Sequence, residues 1–266
     1  MKPYLYVIKV RILLTLSYRF EVFSSILTGT LFMFASVFFW RTAYAGIDQV
    51  AQVSLNQMLC YGVMSVILGM FFQDITFTVE NEVQQKVQQG NISVDYIKPV
   101  NVFLMYFFQD VGNSFMAFVL KGIPVLIFAA LFVVTPLPPS LPHFLLFYIS
   151  AWISYTILWY MSALFALLYF KAINLGNLGY IKKYTILILS GSFVPTWFFP
   201  EWIQHVLSFL PFVYIYQLPL GIFVGRISLA EAVGDMVIQA VWCVFFGLLF
   251  AFCQRRVEKN VLVQGG

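Results

Sequence analysis

Charge is scarce in this chain. Lysine, arginine, aspartate and glutamate make up 10% of its 266 residues, against about a quarter of an ordinary soluble domain. The net charge of +4 is therefore loop charge, and no basic cluster interleaved with aromatics marks a nucleic-acid surface. Histidine occurs twice and cysteine three times. His143 and His205 lie far apart and no His/Cys spacing suits a metal, so no metal ligand is assigned. Cys60, Cys243 and Cys253 sit singly in apolar runs and read as buried thiols, not as a disulfide framework. The phosphate-binding spacing G-x-x-x-x-G-K-[ST] is missing. "GNLGYIKK" (Gly176–Lys183) has glycines and lysines but lacks that spacing. Without G-x-S-x-G there is no case for a serine hydrolase either. No catalytic residue is assigned.

What the chain has instead is apolar bulk. It is 61% hydrophobic and 19% aromatic, with mean hydropathy +0.88. No soluble fold of this size buries thirty Phe, fifteen Tyr and six Trp, which leaves an all-α integral membrane protein. Six apolar stretches are long enough to span: Phe23–Trp40, Leu55–Phe72, one within Val102–Thr135, Phe144–Phe170, Leu178–Phe199 and Ala230–Phe252. The alternation of a membrane barrel is missing.

Twelve of the fifteen basic residues fall on one side of this layout. They are Lys2, Lys9, Arg11 and Arg19 in the N-terminal arm, Lys86 and Lys98 after span two, Lys171, Lys182 and Lys183 after span four, and Arg255, Arg256 and Lys259 in the tail. Arg41 and Arg226 fall on the other side, and Lys121 lies within a span. The positive-inside rule then places both termini in the cytoplasm, as six spans require. "TAYAG" (Thr42–Gly46) resembles a signal cleavage site, but the apolar run before it is too long for a signal core, so an uncleaved first helix is expected. The arm, residues 1–19, carries Tyr4, Ile8, Ile12 and Leu16 at every fourth position, as an amphipathic helix on the cytoplasmic face would. Residues 20–266 form a single six-span domain.

Two stretches depart from simple spans. Val102–Thr135 is too long for one upright helix, and an interfacial lead-in over about 101–112 followed by one span is expected. Residues 195–227 contain Pro195, Pro200, Pro211 and Pro219, which no straight helix accommodates. A short fifth span ending near Pro195–Pro200 and a re-entrant outer hairpin are expected. "SLAE" (Ser228–Glu231) is a capping box that starts the last helix.

The long polar insert, residues 76–100, holds the main clue. Thr78–Gln89 can continue span two as a helix with Val83 and Val87 stacked, and Gly90 is a natural stop. Ser93 is placed as the cap of a second short helix, with Asp95 near its positive end and Val94 and Ile97 on one side, before Pro99 turns the chain back. Within the membrane Lys121 has two readings: it snorkels to the cytoplasmic interface, or it lines a cavity. Asp74 and Asp110 are read as residues of the inner interface.

"VQQGNISVDYIKPVN" resembles the loop between spans two and three of ABC-2-type exporter permeases. In one bacterial subgroup that loop carries a Gly, an aliphatic residue two later, and an aliphatic–basic–Pro ending, here Gly90, Ile92, Ile97, Lys98 and Pro99. Tyr96 stands where an aliphatic residue is more usual. The subgroup also has Ser-Gly, spaced prolines, Pro-Phe and a final Gly before span six. Ser190, Gly191, Pro195, Phe199, Pro200, Trp202, Pro211, Phe212, Pro219 and Gly225 are similar to that run.

The resemblance implies a permease subunit of an ATP-binding-cassette exporter in the bacterial inner membrane. It implies an ATPase-coupling helix built on Gly90, Ile92, Val94, Asp95, Tyr96, Ile97, Lys98 and Pro99, and an outer gate at Pro195, Phe199, Pro200, Trp202, Pro211 and Phe212. ATP and magnesium would sit on partner ATPase subunits, with no cofactor on this chain. A second permease, identical or unlike, would complete the path through the lipid bilayer. The alternatives are an ion-coupled secondary transporter working without an ATPase, which would need a mid-membrane ion site and often shows repeats, and a membrane scaffold without transport.

Overall fold

The computed structural model describes residues 2–15, 19–72, 78–97, 99–172 and 176–264. Among these the regular structure is helical apart from a hairpin of two-residue strands, β1 (Gln49–Val50) and β2 (Val53–Ser54). Its turn residues Ala51 and Gln52 both have positive φ, 52° and 63°, the twist that a two-residue hairpin connection demands.

Among the described residues five helices are long and apolar enough to cross a bilayer. The first is α2 (Arg19–Ala43), preceded by α1 (Lys2–Thr15). The second, α3 (Leu55–Phe72), matches the expected second span in both bounds and is buried on nearly every side, as a helix apolar around most of its circumference is in the middle of a bundle. The polar insert follows as α4 (Thr78–Gln88) and α5 (Ile92–Tyr96). Then come α6 (Val102–Ala117) and α7 (Ile123–Phe132), which form one continuous helical rod, and α8 (Leu141–Leu168). The last long helix is α12 (Leu229–Gln264). Between α8 and α12 lie three short helices, α9 (Leu178–Leu189), α10 (Glu201–Ser208) and α11 (Gln217–Phe223).

The fifth expected span, Leu178–Phe199, is thus a helix of only 12 residues, about 18 Å at 1.5 Å per residue. Gly191 at its end has φ +79°, and Pro195 and Pro200 forbid a straight continuation.

The rod over Val102–Phe132 differs from expectation in its irregularity. No break occurs near Gly112, so the separate lead-in over 101–112 is not formed. The helix widens instead to a π-type turn over Phe118–Gly122. Pro124 is the physical reason: it has no N–H for the Leu120 carbonyl and its ring crowds that carbonyl, so the preceding turn opens. At 31 residues the rod is about 46 Å long, well beyond a hydrocarbon core of about 30 Å.

Packing follows close approaches at small residues. α2 lays Gly29, Met33, Val37 and Trp40, one helical stripe, onto α3. A side chain at Gly29 would strike Met70, and one at Gly62 would strike Ser36. α1 runs along α6, with the Tyr4 ring 5.3 Å from Phe108 and the backbone of Ile8 against Gly112. Tyr4 and Ile8 of the fourfold stripe thus face α6, while Tyr6 and Leu13 are exposed. The side chains of Ile12 and Leu16 lie outside the described residues. α8 and α12 pack along much of their length. The expected cap of α12 is formed: Ser228 N–H and Oγ donate to Glu231 Oε2 at 3.0 and 2.8 Å, and Glu231 N–H donates back to Ser228 Oγ at 3.3 Å.

Candidate functional site

The polar insert is built as a braced hook. α4 sinks Val79 and Val83 into the bundle against α8 and α6. Gly90 ends it with φ +71°. The Asn91 N–H reaches back to the Lys86 carbonyl at 2.9 Å and the Gly90 N–H to the Val87 carbonyl at 3.1 Å, the double closure that a left-handed glycine permits. Ser93 does not cap α5. The helix begins earlier, after Asn91, and Ser93 lies inside it.

A cluster of charges holds the hook shut. Lys86 Nζ donates to Asp95 Oδ2 at 2.5 Å and to Glu82 Oε1 at 2.9 Å, and the Tyr106 hydroxyl of α6 donates to the same Asp95 oxygen at 2.6 Å. Burial alone would make Lys86 give up its proton more readily. The hydrogen bonds and charges of Asp95 and Glu82 outweigh that and hold its pKa above the ordinary lysine value.

Asp95, 3% exposed, therefore faces inward. On the outer side of the hook Ile97 is 82% exposed and Val94 55%. Gly90 and Pro99 are also exposed, and Ile92 and Tyr96 are half-buried. Lys98 and Asp74 lie outside the described residues.

A second feature is a groove of about 750 Å³ between α2, α3 and α9. Hydroxyls line it at Ser24, Ser25, Thr28 and Ser36 of α2, Ser65 of α3 and Ser192 beyond α9. They alternate with Phe32, Phe39, Trp40, Phe72, Phe193 and Tyr216, and Lys183 and Tyr184 of α9 complete the wall. Lys121 is not among the lining residues. It is 5% exposed, in the widened turn, with its ammonium 3.4 Å from Glu21 Oε1 in the first turn of α2. Asp110 of α6 is buried and accepts the Trp159 indole N–H at 3.1 Å.

The third feature is the proline-spaced segment. Pro195 and Pro200 each precede a helical turn, at Thr196–Phe198 and at α10, and Pro211 precedes the turn Phe212–Tyr214. Pro195 and Pro211 are buried, Phe199 and Phe212 half-buried, and Pro200 and Trp202 exposed. The chain around Tyr214 enters between α8 and the first third of α12. The Tyr214 carbonyl accepts from Ser154 Oγ at 3.0 Å and from Gln239 Nε2 at 2.8 Å, and Ser150 Oγ donates to Gln239 Oε1 at 3.1 Å. All three side chains are fully buried.

From there α11 returns until the Val224 carbonyl meets Gln57 Nε2, in the first turn of α3, at 3.1 Å. Gln217 ties the segment to the end of α9: its N–H donates to the Ser190 carbonyl and its Oε1 accepts from Thr196 N–H. Tyr61 and Ser65 of α3 donate to the carbonyls of Gly191 and Ser192 at 2.7 and 2.5 Å. Beyond Gln217 and Thr196 lies a second cavity of about 500 Å³, lined by Glu201, Gln204, His205 and Asp235 among others.

The residues that fix this arrangement, Glu82, Lys86, Tyr106, Gln217, Gln239, Ser150 and Ser154, were not among those the sequence pattern singled out. A glutamine and two serines deep in apolar spans were the available signal, since such groups need partners out of water.

Comparison with curated proteins and with solved structures returned no match. A family model described as ABC-2 family transporter protein matches residues 30–259, which takes in the hook, the proline-spaced segment and all of the groove's lining except its first residues, Ser24 to Gly29. The chain belongs to the ABC-2 family of transporter proteins.

Proposed function

We propose that this chain is the permease subunit of an ATP-binding-cassette exporter, driven by separate ATPase subunits that grip the hook of residues 76–100. The observation that carries the reading is the hook's tip. Val94 and Ile97 are held out by a braced loop at the end of a polar insert. Exposed apolar side chains on a rigid, polar-flanked projection are characteristic of a surface meant for another protein. The energy source is then the partner's bound ATP and magnesium, in keeping with a chain that carries no phosphate-binding loop of its own.

Six crossings with both termini in the cytoplasm accord with the charge distribution and with the short helix α9. That helix starts at the level of α4, where Lys182 pairs with Glu80, and ends where Gly191 and Ser192 meet the middle of α3. The link over 190–200 and α10 would complete the crossing, and Pro211–Val224 would dip back from the outer face as a re-entrant gate. The groove between α2, α3 and α9 is open along its flank, and a second permease, alike or unlike, would close it into a path. The bacterial inner membrane is the proposed setting.

The test is capture, by the tagged permease, of an ATP-binding-cassette ATPase subunit from the same cells. Ile97→Asp should weaken capture by about thirtyfold, the loss of about 2 kcal/mol from one buried aliphatic side chain, while the amount of permease in the membrane stays at the wild-type level. Undiminished capture by Val94→Asp/Ile97→Asp would remove the hook from the interface. Ion-driven transport by the purified chain alone would replace this reading with the secondary carrier.

A further inference from the structure

We infer that the buried ion pair between Glu80 and Lys182 is the joint through which movement of the hook swings α9, the helix that walls the groove; this rests on the coupling reading above. Glu80 lies in the first turn of α4 and Lys182 in the second turn of α9. They are 1% and 6% exposed and form an ion pair. Lys182 Nζ also donates to Ser162 Oγ of α8 at 2.9 Å.

Three observations make this a joint and not only glue. First, a buried ion pair is a poor source of stability. Removing two charges from water costs about as much as their attraction returns, and a well-packed apolar pair often does as well. The pair therefore specifies which surfaces meet. Here it joins the insert to the groove wall.

Second, α9 is held along one narrow stripe. Gly179, Lys182 and Ile186 are its buried residues, whereas Tyr180, Ile181, Tyr184 and Ile188 are each more than half exposed. Its far end is pinned through the carbonyls of Ser190, Gly191 and Ser192. A helix fixed at one end and clasped near the other can turn about the fixed end.

Third, α4 carries a polar clasp at both of its ends. Lys86 in its last turn binds Asp95 of α5, and Glu80 in its first turn binds Lys182. Displacement of α5 is thus delivered through α4 to Lys182, and the next residue, Lys183, lines the groove. Glu80 and Lys182 are positioning residues; nothing here requires them to touch cargo.

The test uses the complete complex with its ATPase in lipid nanodiscs, with Cys60, Cys243 and Cys253 replaced. Spin labels at Phe32→Cys on α2 and Tyr184→Cys on α9 report the width of the groove, with and without vanadate-trapped nucleotide. The parent complex should show a nucleotide-dependent change in that distance. Glu80→Gln and Lys182→Met should each lose it while the ATPase remains bound and still hydrolyses ATP, and the exchange Glu80→Lys/Lys182→Glu should restore it.

If a lone buried charge prevents assembly, Glu80→Leu/Lys182→Met decides. It should assemble with wild-type yield and show no nucleotide-dependent change. A full change in that variant, or in both single variants, overturns the inference. Failure of the parent complex to bind an ATPase at all would instead overturn the coupling reading.

Discussion

Asp95 illustrates how one carboxylate can serve a surface without belonging to it. Its hydrogen bonds to Lys86 and Tyr106 fix the angle at which Val94 and Ile97 leave the hook. Asp95→Ala leaves Lys86 with Glu82 and takes the acceptor from the Tyr106 hydroxyl, which keeps only the 3.3 Å contact from Lys86 Nζ, at a cost of about 1–3 kcal/mol. Limited proteolysis in detergent should then cut the variant after Lys86 much faster than the wild type, whereas Ile97→Ala should leave cleavage unchanged.

The pH dependence follows from the direction of the Lys86 shift. A pKa raised in the folded state means the stabilisation is complete below the ordinary lysine value and fades as pH rises through the raised one. Cleavage of the wild type should therefore be flat from about pH 6 to pH 9. The inward turn of Asp95 was not legible from residue type, because a charged residue in a polar loop looks like a contact for solvent or a partner. Its partner Tyr106 lies eleven residues on, inside an apolar span.

Among the elements, the segment Pro211–Val224 depends most on others. It has two short helical turns of its own and owes its place to a backbone carbonyl held by Ser154 and Gln239. Gln239→Met keeps the volume and removes the amide that joins α8, α12 and this segment. The expected loss is about 1–2 kcal/mol, concentrated locally. Hydrogen exchange in nanodiscs should show faster exchange over 211–224 and little change in α3.

Regular elements were legible to within a few residues wherever apolar length decided them, as for α3 and α8. The capping box at Ser228 and the stop at Gly90 were legible because each uses a residue type with one local purpose. The widened turn was not foreseen: the length of Val102–Thr135 suggested a lead-in over 101–112, while the irregularity lies at Phe118–Gly122, where Pro124 acts one turn upstream of itself. The groove was not legible at all. Its hydroxyls come from α2, α3 and the link after α9, and periodicity within one helix says nothing about which helices meet.

For the whole molecule, the proposed layout makes a prediction about sidedness. In a background lacking the native cysteines, Ser93→Cys should react with a membrane-impermeant thiol reagent only after cells are opened. Phe209→Cys, which is 78% exposed just beyond α10, should react in intact cells. Labelling of both from the same side would be incompatible with six crossings.

The all-helical membrane fold class was legible from bulk composition, since transfer into lipid is governed by sums over many residues. How the short helices between α8 and α12 interlock was not, because single hydrogen bonds across long sequence separations decide it. Ile97 and Val94 carry a cost of their own. A copy made in excess of whatever covers them would expose adhesive tips to the aqueous phase. On the docking role proposed for the hook, matched dosage, with synthesis of the two chains kept in step, is the condition that this small protrusion would place on the cell.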